Sequence, residues 1–539
     1  MTWGEVMTIT AVVSKVIPAS RFRLCGLFGL FLLLSLTSLL FVQSSPAANG
    51  ADLSEKRLDL LQKRYYDRRE KFAQAMLTLA GECDAKQYFT DAERIRTRAL
   101  PVSSGAYDLD LLPEEIISSP SLSLPVAERE WRAKLQKLER DYAVDLYRIA
   151  REALRLGHPT MTYRLVRETA FHDPNNVNAR SMLGYVQEKD RWTTPFLKRM
   201  AQKGMVDHPR FGWIETRLVS RYEAGERFFN GQWMSAEKEA ALRADFQNGW
   251  EIGTEHFLIR TNVGLEQGVE LSRQLEEFQR FFMREYVAFF NSRQQIEKLL
   301  DVGARPQWKE QARYQVSFYR TKEEFVAALK PRMPGIENAN GLYIPRDRMS
   351  YFYSTDNLDA GDAEERLETM YHEVTHQILG ESRPDPFDVG ELSDFWVIEG
   401  FPCYLESFDP QHPGGAVGDP RHIRIFWARK KIIEESQHWP MREFAAMGRP
   451  VFPLQAESYN QGAAMVHFFL NAEQGQYRDG FIHYLSQVYL PSKSRKPTLE
   501  DILGVTFETL DRQFIDYLKT LPSDPPPGVT IELVPAQAP

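Results

Sequence analysis

The stretch Tyr371-His372-Glu373-Val374-Thr375-His376-Gln377, with Trp396-Val397-Ile398-Glu399-Gly400 after it, decides how this chain is read. On a helix, residues four apart differ by about 40° in direction and about 6 Å in rise. The imidazoles of His372 and His376 therefore share a face and can reach one metal ion. Glu373 flanks that face, where it can act on a water held by the metal. The H-E-x-x-H pattern couples two zinc-ligating imidazoles to a carboxylate suited to general-base work.

Local signals support a helix here. Asp362 with Glu365 reads as a capping box, Gly380 follows the run, and Pro384 lies beyond it. Leu367, Met370, Tyr371, Val374 and Ile378 recur at helical spacing and predict a buried stripe. His372, Thr375, His376 and Leu379 form the neighbouring face, expected to line a cleft. Glu399, 23 residues after His376 and inside the apolar run Phe395 to Leu405, is the candidate third ligand. Two His and one Glu leave a fourth position open, as in a catalytic rather than a structural zinc site. The competing reading is an ordinary amphipathic helix with two incidental histidines.

With these residues in hand, the chain resembles the gluzincin peptidases, the class of thermolysin and aminopeptidase N. More narrowly, it is similar to an exported bacterial family of zincin-like proteins whose domain has no assigned function. The likeness rests on HEVTH, the W-V-I-E-G-F-P-C-Y-L-E run, and the surroundings of Trp250–Asn262, Phe318–Phe325 and Ser458–Leu470. It spans roughly residues 250 to 520. It implies an α+β, thermolysin-like zincin domain: a small sheet, then the zinc helix, then a helical lower lobe. It also implies one Zn²⁺ per chain on His372, His376 and Glu399, Glu373 as general base, and a peptide or protein substrate held along an edge strand. By family position, Tyr459 is the candidate donor to the oxyanion; a half-buried core tyrosine is the alternative. Gly335-Ile336-Glu337-Asn338 lies about where aminopeptidases carry Gly-x-Met-Glu-Asn, but Pro334 and Ile336 break the pattern. Aminopeptidase action is therefore not favoured over endopeptidase action.

At 539 residues, with 43% hydrophobic residues, the chain should fold as two or three domains. A net charge of −8 and the lack of a basic patch argue against a nucleic-acid partner. Lys15, Arg21 and Arg23 precede an uncharged run from Leu24 to Val42, followed by Ser44-Ser45-Pro46-Ala47-Ala48. Residues 1–48 thus read as a signal peptide, or as a retained membrane anchor, and predict an exported protein (periplasmic, cell-surface or extracellular). Cys83 and Cys403 are expected as buried free thiols rather than a pair.

Residues 49–200 read as an all-α region. It has long helices at Ser54–Leu79 and Ala127–Leu156 and a Pro/Ser-rich connector at 101–125. Helices at Tyr163–Ala170 and Ala179–Val186 flank an Asp-Pro-Asn turn in a tetratricopeptide-like pair. This region is either a partner-binding module or a helical spacer. Residues 201–249 read as an aromatic-rich connector, 250–521 as the peptidase-like domain, and 522–539 as a Pro-rich tail. Within the domain, strands are expected at His256–Thr261 and Tyr314–Tyr319, with a hairpin from Gly341 to Ser354. Cys403, four after Glu399, is expected to pack beside the site. Glu406, seven after it, either orients a ligand imidazole or is a solvated charge. His467 is a lesser candidate, and His256, His412, His422 and His438 have no ligand-like spacing. The functional reading is a zinc-dependent peptidase; its rival is a scaffold that keeps the fold without turnover, separated by whether Glu373 matters.

Overall fold

The leucine- and aromatic-rich stripes of the first 180 residues bury against one another as a layer of helices. These are α1 (Pro46–Ala85), α2 (Phe89–Ala99), α3 (Val126–Arg155), α4 (Pro159–His172) and α5 (Val177–Met182). Leu61, Phe72, Met76 and Leu79 of α1 share a core with Tyr142, Leu146 and Ile149 of α3 and Leu165 of α4. The computed structural model describes residues 46–301, 312–354, 360–383, 389–490 and 496–526, with backbone alone at 46–55 and 360–366. The expected export segment up to residue 45, Pro384 and the tail beyond 526 lie outside the described residues. No described helix is long and apolar enough to cross a membrane.

After the Asp173–Asn176 turn, the side chain of Asn176 caps α5 by accepting from Ala179 N–H. The helix then stops at Met182, short of the expected Val186. Gly184 turns with φ +93°, and Val186 pairs with Thr193 in a strand.

The aromatic stretch after it is three hairpin–helix units. They are β1 (Val186–Glu188) and β2 (Arg191–Thr193) with α6 (Pro195–Gln202), β3 (Met205–His208) and β4 (Gly212–Glu215) with α7 (Val219–Glu223), and β5 (Glu226–Phe229) and β6 (Gln232–Ser235) with α8 (Ala236–Leu242). Each second strand carries a tryptophan at its second residue: Trp192, Trp213 and Trp233, 21 and 20 residues apart. Thr194 and Ser235 cap the helices after the first and third hairpins. The first unit bonds the connector between α2 and α3, with Trp192 main-chain N–H donating to Glu114 O at 2.6 Å. The second grips the next domain through Arg273–Asp207 at 2.7 Å and Arg210–Glu266 at 2.6 Å.

A mixed five-stranded sheet begins with β7 (Trp250–Gly253) and β8 (Phe257–Thr261). Then come α9 (Leu265–Glu285), α10 (Val287–Phe290), α11 (Arg293–Leu300), β9 (Tyr314–Tyr319), α12 (Lys322–Leu329), β10 (Leu342–Ile344) and β11 (Met349–Tyr353). The order is β10-β11-β9-β8-β7, antiparallel at both ends and parallel between, with β10 as one edge. The rest is helical: α13 (Ala360–Glu381), α14 (Phe395–Leu405), α15 (Ile423–Arg429) running into a π-helical turn at Lys430–Glu434, α16 (Met441–Ala446), α17 (Ala456–Asn471), α18 (Arg478–Val488), α19 (Leu499–Leu503) and α20 (Phe507–Thr520). The architecture is mixed α+β. One apolar core joins the sheet, α9, α13, α14 and the C-terminal helices. Asp479 links this part to the helical layer by accepting from both the N–H and the hydroxyl of Thr160 at the start of α4.

Candidate metal centre

Helix α13 starts at Ala360, so Asp362 lies inside it rather than at the expected cap, and it runs through Gly380 to Glu381. Met370, Tyr371, Val374 and Ile378 are buried as the stripe predicts, whereas Leu367 is 38% exposed. Thr375 and Leu379, expected on the cleft face, are buried too; Thr375 Oγ1 instead donates to Tyr371 O at 2.6 Å. Gln377 fixes the helix on the sheet, donating to Gln315 O of β9 at 3.1 Å and accepting from Ser350 Oγ of β11 at 2.7 Å. His372, Glu373 and His376 are left facing the cleft.

Helix α14 is apolar all round, and every residue but Glu399 is buried. Its N-cap, Asp394, takes a left-handed conformation (φ 63°) uncommon outside glycine. Tyr484 Oη donates to one carboxylate oxygen of Asp394 and Ser393 Oγ to the other, both at 2.6 Å, while Asp394 N–H donates to Ala445 O. The start of α14 is thereby fixed. Its middle crosses α17 without side chains between: a Cβ on Gly400 would lie 2.6 Å from the carbonyl carbon of Gly462. That contact brings Glu399, next to Gly400, near Tyr459, which precedes Gly462 by one helical turn.

The three expected ligands converge. His372 Nε2 and His376 Nε2 lie 3.2 Å apart, and Glu399 Oε2 is 3.7 Å from each. Ligands about 2.0–2.1 Å from a tetrahedral zinc lie roughly 3.3–3.4 Å apart, so the donor set and its spacing fit that ion. The side chains are 13%, 18% and 15% exposed, sheltered yet open to a cavity of about 360 Å³. Burial would raise the Glu399 carboxyl, but the two imidazoles beside it hold it well below the usual range. Glu373 shows the opposite balance: burial pushes it up against the pull of His372 and His376. Tyr343 N–H of edge strand β10 donates to Glu373 Oε2 at 2.7 Å. Because Tyr343 faces Ser350 across the hairpin while its N–H turns to Glu373, its main-chain groups point away from β11 and toward the cleft.

Around these residues lie groups the sequence singled out weakly or not at all. Glu406 accepts from His372 Nδ1–H at 2.9 Å, so it is not a solvated charge. Burial alone would raise Glu406; Arg424 and His372 hold it at about 2. Cys403 Sγ is 3.8 Å from the same Nδ1, and Cys83 and Cys403 are both buried and free. Arg424, in the first turn of α15, bonds both oxygens of Glu406, and His422 contacts Glu368 at 3.2 Å. Among the described residues, Glu368, Glu406 and His422 form a further His/Glu group. Tyr459 and Tyr489 both line the cleft, and burial first, then the Glu399 charge, raises both hydroxyls well above their usual range. Both are therefore neutral donors. Tyr489, at the end of α18, carried no sequence signal, because no motif names it. His467 is buried away from the His372, His376 and Glu399 group, donating from Nε2 to Gly418 O at 3.0 Å and accepting from Tyr517 Oη at 2.8 Å. Glu337 pairs with Lys330 at the surface and does not line the cleft, although Asn338 does.

No protein-family profile matches this chain, and no curated protein matches it.

Proposed function

We propose that the chain is an exported zinc-dependent peptidase of the gluzincin type, with a thermolysin-like zincin domain. The observation that carries the reading is the meeting of His372, His376 and Glu399 at metal-ligand spacing, with Glu373 beside them in one cleft. These three side chains would hold zinc, which supplies a Lewis acid for the scissile carbonyl and lowers the pKa of a nearby water. Glu373, its carboxyl raised by burial, takes the proton of the attacking water and passes it to the leaving amine. Tyr459 is half-buried and reaches the cleft, and its hydroxyl donates to the oxyanion. An extended peptide lies along β10, where the Tyr343 N–H is taken by Glu373 and the Tyr343 carbonyl is left to accept from the peptide.

The test is hydrolysis of a mixed peptide library by the wild-type chain and by Glu373→Gln, both zinc-loaded. General-base loss predicts a fall of roughly 10²–10⁴-fold in turnover with zinc retained. Equal turnover by both proteins, or none by either, refutes the peptidase reading. The latter outcome leaves the scaffold as the account of the fold.

A further inference from the structure

We infer that Arg424 is a positioning residue for the metal centre: it holds Glu406 on the Nδ1 edge of His372, which turns Nε2 of that imidazole toward the metal. The inference rests on the metal-binding reading above and extends it to a residue outside the ligand set. An imidazole offers a lone pair at Nε2 only when the proton sits on Nδ1, and the partner of Nδ1 selects that tautomer. Here the partner is Glu406, at 2.9 Å.

Glu406 alone is poorly placed for this task. It follows the last turn of α14, where the helix end carries partial negative charge, and its side chain is 5% exposed. Arg424 compensates. Its Nε donates to one carboxylate oxygen at 2.7 Å and its Nη2 to the other at 3.0 Å. This two-pronged grip fixes the plane of the carboxylate as well as its charge, which a lysine could not do. Oε1, which accepts from Nη2, has a second lone pair with which it accepts from His372.

The rest of α15 acts in the same sense. His422, two residues earlier, contacts Glu368 of α13, one helical turn before His372. Arg424 Nη1 lies 3.5 Å from Asn460 Oδ1, next to Tyr459. The first turn of α15 therefore spans α13, the end of α14 and the start of α17, the elements that carry the ligands and Tyr459. Arg424 is 28% exposed on its side chain and borders the cleft, yet its fork is turned onto Glu406.

The experiment is zinc affinity, measured by competition with a chromophoric chelator, for the 539-residue chain as wild type, Arg424→Met, Glu406→Gln and the double variant. Loss of such a supporting contact predicts roughly 10–100-fold weaker zinc binding in Arg424→Met. The double variant should bind no more weakly than Glu406→Gln alone, because Arg424 acts through Glu406. Arg424→Lys should fall between, and cobalt(II) in place of zinc should show a shifted visible band in Arg424→Met. If Arg424→Met fails to fold by circular dichroism, Arg424→Lys carries the same comparison. Wild-type affinity in a folded Arg424 variant, or an undiminished Arg424 effect in the Glu406→Gln background, overturns this inference alone. A wild type that binds no zinc overturns the parent reading as well.

Discussion

The crossing of α14 and α17 at Gly400 and Gly462 gives a graded prediction. A Cβ at Gly400 would meet the carbonyl carbon, oxygen and Cα of Gly462 at 2.6, 2.8 and 2.9 Å. All three are backbone atoms, so no side chain can swing aside and the helices must part. Overpacking of this kind costs up to about 3 kcal/mol, and the better helix propensity of alanine returns about 1 kcal/mol. The expected net loss for Gly400→Ala is about 2 kcal/mol, or roughly 4–8 °C in melting temperature. Gly462→Ala meets its nearest atoms, Gly400 Cα and Trp396 O, only at 3.1 and 3.2 Å. There a shift of a few tenths of an ångström suffices, and the propensity gain brings the net effect near zero. The assay is thermal unfolding followed by circular dichroism, paired with zinc affinity. Because Glu399 adjoins Gly400, zinc binding should weaken in Gly400→Ala and stay close to wild type in Gly462→Ala. Equal melting temperatures for the two variants, or a Gly400→Ala protein as stable as wild type, would refute the close crossing as a source of strain.

Tyr459→Phe should lower kcat by roughly 10²–10³ with zinc content unchanged, as for loss of one oxyanion donor; Tyr489→Phe, whose buried hydroxyl is less accessible, should lower it far less. Measuring kcat for both variants separates the two tyrosines. His467 is held neutral by burial, its pKa lowered from 6.5 to about 4. Protons then favour the unfolded chain, so its effect is absent above about pH 6.5 and stability is lost as pH falls toward 4, by up to about 3 kcal/mol. His467→Gln should flatten that part of the urea-midpoint profile between pH 7 and 4; an unchanged slope would show that His467 does not carry it. In Glu373→Gln, turnover should collapse while zinc affinity stays within a few-fold of wild type.

What the sequence discloses depends on how local the governing physics is. The Tyr314–Tyr319 strand is legible as a short run rich in aromatic residues, and the hairpin at 342–353 because two apolar, aromatic-rich runs flank a Pro-Arg-Asp-Arg turn. The pairing of His372 with His376 comes from helix geometry alone. The three hairpin–helix units are less legible, since their strands are three or four residues long and only the spacing of Trp192, Trp213 and Trp233 betrays the repeat. Asp362 looks like a cap because Glu365 stands three residues further on, yet the helix begins two residues before Asp362. Leu367 fits the apolar stripe in spacing but stays 38% exposed, so spacing alone does not bury it. Arg424 and Tyr489 belong to the site only through tertiary packing: one sits in an apolar run on α15, the other at the end of α18. Nothing in their neighbours along the chain indicates either role.

The central claim is that His372, His376 and Glu399 together hold one metal ion. Its most direct test is metal content by mass spectrometry after zinc loading and exhaustive dialysis, for wild type, His376→Ala and Glu399→Ala. One zinc per chain in the wild type, with little retained in either folded variant, is the predicted result. A correctly folded wild type that retains no zinc, or variants that retain it fully, would contradict the account.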